Sequence, residues 1–308
     1  MFGENKGITL ALATAFISGF AVFMNKFAIT FWQNSSVFTT AKNIIVAVLL
    51  ISVIILFGKI KELKSLNRNN WLKLILIGFI GGAIPFLLFF KGLSMTDSVN
   101  AAFIHKTLFI WVAILAIPFL GEKLYKIQIL SLAIISLGVY LFVSPANFSL
   151  GTGELLVFGA TILWAIENII AKKILKEVSP IVTSWGRMFF GSLFLIAFII
   201  LTGNGGALLD ISFAKFGWLM ISGVVLFGYV TTWYSALKFA PAGVAKSILV
   251  LAFPITAILN SIFITHKIPF KIILPTVILA FGIILISPTT NRLKKYAEQK
   301  LQKRPNTV

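Results

Sequence analysis

Residues 98–124 read SVNAAFIHKTLFIWVAILAIPFLGEKL. Ser98 to Phe119 form one nearly continuous apolar run, broken by His105 and Lys106 and closed by the turn-forming, charged Gly121-Glu122-Lys123. At about 1.5 Å per residue such a run crosses the roughly 30 Å of hydrocarbon in a bilayer, so it reads as a membrane-spanning helix. Two basic side chains about two turns inside it are costly in lipid, which makes them informative.

Outward from this stretch the pattern repeats. Apolar runs predict helices over 7–31, 35–57, 71–91, 98–119 and 126–143, then over 154–172, 181–202, 215–236, 242–264 and 270–287. Turn formers separate them: Ser35-Ser36, Ser144-Pro145, Ser179-Pro180, Gly203 to Gly206 and Ser287-Pro288. Only Gly58 to Asn70 and the tail after Pro288 read as aqueous segments. The first run is too long for a cleaved signal and is expected to stay as a helix.

Composition agrees. Of 308 residues 58% are hydrophobic, 30 are Phe and 12% are charged, where soluble domains carry about 25% charge. The net charge of +18 comes from 27 Lys and Arg, but these fall in short gaps between apolar runs rather than in a basic stripe with stacking aromatics. A nucleic-acid partner is not expected. With no cysteine there is no disulfide or thiol chemistry. No P-loop is present, which excludes ATP hydrolysis by this chain.

The cations also orient the chain. With the N-terminus inside, eighteen Lys and Arg fall on the inner side, four on the outer side and five within apolar runs. Cytoplasmic loops are enriched in these residues, so both termini are expected in the cytoplasm.

The chain resembles itself. A shift of 144 lays Phe89-Phe90-Lys91-Gly92-Leu93 over Trp233-Tyr234-Ser235-Ala236-Leu237, Gly138 over Gly282, and Gly121-Glu122-Lys123-Leu124 over Thr265-His266-Lys267-Ile268. Shifts of 145 or 146 pair Lys42 with Arg187 and Lys26 with Lys172. Five helices is an odd number, so the second half enters the membrane from the opposite side and the repeat is inverted. The expected fold is all-α and integral to the membrane: ten transmembrane helices in two inverted five-helix repeats, 1–145 and 146–290, with a basic cytoplasmic tail over 291–308.

Several motifs resemble the EamA-type members of the drug/metabolite transporter superfamily. They are Trp233-Tyr234-Ser235-Ala236-Leu237-Lys238 with the later Phe253-Pro254, Pro118-Phe119-Leu120-Gly121-Glu122-Lys123-Leu124, Trp164 in the sixth helix and Arg187 in the seventh. The resemblance covers nearly the whole chain and implies ten helices, two EamA repeats and transport of small organic solutes. It departs at Thr265-His266, where a second Gly-Glu would stand, at Ile110, where a proline is expected, and at His105-Lys106.

Charges inside the runs are the candidate site. Lys42 and Lys106 have no acidic neighbour in the first five helices deeper than Asp97, so they either bind an anion or snorkel along their stems to the interface. Lys26 and Lys246, nearer to helix ends, are expected to snorkel. Arg187 and Glu167 lie near the inner end of an expected hairpin of helices six and seven, where they form either a structural ion pair or part of a binding site, with Asn168 beside them. His105 and Lys106 point about 100° apart on a helix, so one is expected to line a cavity while the other packs. His105 is either a proton relay or a packing residue. Trp111, Trp164, Trp185, Trp233 and Tyr234 either wall a cavity or anchor and pack the helices.

The expected activity is secondary transport of an amino acid or organic anion across the plasma membrane by alternating access, in the export direction, by a monomer whose partners are the lipid bilayer and a solute bearing a carboxylate or phosphate. The substrate-binding candidates are Lys42, His105, Lys106, Trp164, Glu167, Arg187, Trp233 and Tyr234. An exchanger of nucleotide sugars or sugar phosphates is the alternative, because buried cations suit phosphate. An intramembrane enzyme acting on lipid phosphate lacks a visible nucleophile, base or metal cluster, and no cofactor, metal or catalytic residue is expected.

Overall fold

The computed structural model describes residues 2–32, 34–145, 150–267 and 269–286. Nine helices among the described residues are long and apolar enough to cross a membrane. They are α1 (Gly3–Trp32), α2 (Ser35–Leu56), α3 (Arg68–Leu93), α4 (Ser98–Leu120), α5 (Lys126–Val143), α6 (Thr152–Ile174), α7 (Pro180–Leu201), α8 (Phe213–Phe239) and α9 (Ala242–Thr265). A shorter apolar helix, α10 (Phe270–Ile286), follows them. No strand occurs among the described residues. The chain is an all-α membrane protein. The tail over 291–308 and the Ser287-Pro288 turn lie outside the described residues.

Local chemistry sets the ends. Asn34 caps α2 by accepting the Ser36 and Val37 N–H groups at 3.0 and 3.1 Å, and Asn67 caps α3 through the Asn70 N–H at 2.8 Å. Pro180 opens α7 at a position where no N–H is needed. Gly121 ends α4 in the left-handed region, with φ of 68°. The 58–70 segment, expected as an aqueous loop, contains a short helix, Ile60–Lys64, and leads directly into α3 at Arg68.

On α2 the stripe Val46, Leu50 and Ile54 is wholly buried, while Val48, Ile55 and Leu56 on other faces are exposed. A helix apolar on all sides, with only one side covered by protein, belongs in lipid. Helix contacts then depend on shape rather than hydrophobicity, and small residues admit the closest approaches. A Cβ added to Gly82 of α3 would lie 3.0 Å from the Gly191 Cα of α7. At the crossing of α5 and α10, a Cβ on Gly138 would lie 2.8 Å from Leu279, and one on Gly282 would lie 2.7 Å from Ile135.

Chain neighbours are mostly not the main packing partners. α1 runs against α8 and α9, α2 against α7 and α8, α3 against α6 and α7, and α4 against α6 and α9. The expected tight hairpin of α6 and α7 therefore does not form. Their connection is short, but α3 packs on both of them and occupies the place between.

Candidate functional site

A cavity of about 560 Å³ lies within the bundle, walled by α1 to α4 and α6 to α9. Its lining runs from Ser18 to Ile29 on α1 and from Phe38 to Asn43 on α2, so it sits toward the α1–α2 turn.

One wall is organised by a proline. Pro85 has no N–H, so the Gly81 carbonyl one turn earlier loses its helical partner and α3 breaks at Ala83, whose φ and ψ are −130° and −75°. Two donors from other helices take up that oxygen: the Trp164 indole Nε1 of α6 at 3.1 Å and the Arg187 guanidinium of α7 at 3.0 Å. Gly81 itself abuts the Glu167 side chain, which would collide with any Cβ there. Glu167 in turn accepts the Tyr234 hydroxyl of α8 at 2.5 Å. Four expected site residues thus converge on the broken turn of α3.

Arg187 and Glu167 do not form a direct ion pair among the described residues. Arg187 donates to the Gly81 carbonyl and Glu167 accepts from Tyr234, because α3 stands between their helices. They remain within electrostatic reach of each other, and both line the cavity. Tyr234, expected to bind solute, does not reach it. The ring is fully buried behind Glu167, while the adjacent Trp233 faces the cavity.

The lysines stand differently. The ammonium groups of Lys42, Lys106 and Lys246 lie over aromatic rings: Phe38 at 4.7 Å, Phe253 at 3.9 Å and Trp233 at 4.6 Å from the centroids. All three line the cavity. None has a hydrogen-bond acceptor or a carboxylate at salt-bridge distance among the described residues, although Glu167 lies within electrostatic reach of Lys246. An aromatic face stabilises a cation by only about 0.5–2 kcal/mol, so these charges keep their hydrogen-bonding capacity for something else.

Lys246 corrects the expectation that it snorkels. It is only one turn into α9, but Ala242 to Ala245 and Ser247 to Ile248 around it are all buried, which denies its stem a route along the helix surface. The run of small residues Ala242-Gly243-Val244-Ala245 is the signal that marks a packed helix face. Lys26, the other residue expected to snorkel, is exposed and does not line the cavity.

His105 and Lys106 both line the cavity, contrary to the expectation that only one would. α4 is interrupted at Thr107, immediately after them, and the cavity wraps around the broken turn. The His105 ring packs edge-on against Trp164 at 4.8 Å and Phe89 at 5.3 Å. Trp111 and Trp185 serve packing instead, against Phe158 and Phe189.

Away from the α1–α2 turn, the bundle closes. The second half of α4 packs on the first half of α9, where a Cβ on Gly243 would lie 3.2 Å from Ala113. There the Glu122 carboxylate accepts the Ala242 N–H at 2.7 Å. The Lys172 ammonium donates to the carbonyls of Leu237 at 2.6 Å and Ala240 at 2.7 Å, tying α6 to the end of α8. No group of three side chains suited to hold a metal occurs among the described residues.

The EamA-like transporter family profile matches the chain twice, over residues 5–144 and 151–287. The chain belongs to the EamA-like transporter family. Similar EamA-type proteins include the uncharacterized transporter YyaM of Bacillus subtilis, 28% identical over 65% of this chain and 68% of that protein. An uncharacterized transporter of Clostridium kluyveri is 25% identical over 82% of this chain and 84% of its own. Another, from Archaeoglobus fulgidus, is 28% identical over 82% and 88%. A crystal structure of another protein shares the fold, with a TM-score of 0.76 over 94% of this chain and 99% of that chain at 12% identity. This EamA-type chain is a multi-pass membrane transporter of small molecules.

Proposed function

We propose that the protein is a ten-span carrier of two inverted five-helix repeats, 1–145 and 146–290, with both termini and the tail 291–308 cytoplasmic. In this reading it acts as a monomer in the plasma membrane and exports an amino acid or organic anion bearing a carboxylate or phosphate by alternating access. The observation that carries the anion reading is the set of three cavity ammoniums, those of Lys42, Lys106 and Lys246, that lie over aromatic rings with no carboxylate at salt-bridge distance among the described residues, Glu167 acting on Lys246 only from farther off.

The repeat reading is supported by the two family matches and by contacts that occur twice. Gly138 meets Leu279, and Gly282 meets Ile135, each residue standing 144 positions from its counterpart. Gly78 meets Phe190, and Gly223 meets Ile45, with counterparts 145 apart. A two-fold axis between the halves produces reciprocal contacts of this kind. An axis in the membrane plane lets the halves exchange inward and outward forms around a fixed site. With the expected orientation, the closed Glu122 end faces the cytoplasm and the cavity faces out.

The test is efflux from proteoliposomes loaded with amino acids, organic acids and phosphorylated sugars, read by mass spectrometry. Loss of an anionic solute that Lys106→Ala abolishes is the expected result. Efflux of cationic solutes alone, or none from a folded preparation under any gradient, overturns the reading. Exchange of sugar phosphates is the second reading, favoured by the added cation at Lys246, and predicts efflux only when phosphate is supplied outside.

A further inference from the structure

The charge of the cavity says more about the cargo than its sign. Four cations line it, Lys42, Lys106, Lys246 and Arg187, against the single carboxylate of Glu167. Glu167 already accepts the Tyr234 hydroxyl, and Arg187 gives one N–H to the Gly81 carbonyl while its buried Nε has no partner. The lining therefore carries a formal net charge of +3. A single negative charge would leave two of these cations uncompensated in a low-dielectric space.

The cations are also grouped. Lys106 of α4 and Lys246 of α9 line the cavity from two helices that pack on each other, within electrostatic reach of one another, and both Glu167 and Arg187 lie within reach of Lys246. Three cations share the one carboxylate of Glu167 there, and like charges this near repel unless a further anion stands among them. Another part of the lining is aromatic. Phe86 and Phe89 pack edge-on and tilted around Trp164, at 5.2 and 5.8 Å between ring centres, and with Phe90 they give the cavity an aromatic lining suited to an aromatic body.

We infer that the cargo is a compact anion of at least two negative charges carried on a flat apolar body, such as an aryl phosphate monoester or an aromatic dicarboxylate, with its charged end between Lys106 and Lys246. This rests on the carrier reading for its physiological meaning, but it is tested by binding alone. In it Lys246 is a specificity-determining residue.

Purified full-length protein in detergent is titrated calorimetrically with phenyl phosphate, phthalate, benzoate, inorganic phosphate, succinate and phenethylamine. Phenyl phosphate or phthalate is expected to bind about tenfold or more tightly than benzoate, and than inorganic phosphate or succinate, which lack the flat body. The phosphate and dicarboxylate arms separate the two head groups. Lys246→Gln should bring the dianion-to-benzoate ratio to near one, while Lys246→Arg should keep it. If Lys246→Gln fails to fold, Lys106→Gln carries the same expectation. Equal binding of benzoate and phthalate, preference for phenethylamine, or no binding of any anion overturns the inference. Tight dianion binding by a protein that never releases solute from proteoliposomes would instead sink the carrier reading and leave this one standing.

Discussion

α9 begins at Pro241-Ala242 without a side-chain cap of its own, and the Glu122 carboxylate from the end of α4 accepts the Ala242 N–H at 2.7 Å. At the opposite end of the same pair of helices, α4 begins after Asp97, whose own carboxylate accepts the Val99 N–H at 2.7 Å. Asp97 and Pro241 stand 144 positions apart, so the two helix starts are counterparts in the repeat. The partner ends correspond as well: Gly121 with φ of 68° and His266 with φ of 52° are both left-handed helix ends, which sets Lys267, not His266, where Glu122 stands. An ammonium has no lone pair to offer an N–H group. A helix start that caps itself is free to part from its neighbour, whereas one that borrows its cap holds the neighbour in place.

Lys172→Met attacks the closed end most heavily. It removes charge-assisted bonds to the last carbonyls of α8 and is expected to cost about 3 kcal/mol, read as a lower midpoint in thermal unfolding of the purified protein. Its counterpart 146 positions earlier, Lys26, is exposed and makes no hydrogen bond among the described residues. An equal loss in Lys26→Met would break the comparison.

Glu122→Ala comes next, at about 2 kcal/mol, because the Ala242 N–H is left without its acceptor. The chain has no cysteine, so a single Val244→Cys reports on the seam, where Val244 is 3% exposed. Labelling of that thiol by a water-soluble maleimide should rise about tenfold when Glu122 is also removed. An unchanged labelling rate would mean that packing alone closes this end.

His266→Gly should do the reverse and stabilise the protein by about 1 kcal/mol, since a side chain in the left-handed region is strained and glycine is not. A loss of stability there would show that the imidazole has a partner. Smallest of all, Lys26→Met should leave stability within about 0.5 kcal/mol of the parent, as expected of an exposed position without partners.

Helix positions were legible in the sequence because lipid imposes them: an apolar run of sufficient length has one low-energy fate, and Asn34, Asn67 and Gly121 mark its ends. Lys42, Lys106, Glu167 and Arg187 were legible as cavity residues for the same reason, being charges where lipid penalises charge. Lys246 was not, because distance from a helix end says nothing about what covers the stem. Nor was Tyr234, whose hydroxyl serves Glu167 rather than the cavity. The role of Gly81 was hidden as well. Pro85 announces a broken turn in the sequence, but which donors claim the freed carbonyl depends on two helices more than eighty residues away.

The sequence by itself determined that this chain is a bundle of apolar helices with charged residues inside the apolar runs, because hydropathy and the cost of buried charge act residue by residue. Only the tertiary structure decided which helices meet, that α3 separates α6 from α7, and that among the described residues one helix start at the α4–α9 seam borrows its cap from the neighbour while the other caps itself. Those choices rest on glycine-to-glycine approach and on single carboxylates reaching backbone N–H groups across helices, and such contacts depend on distances in space rather than on any pattern along the chain.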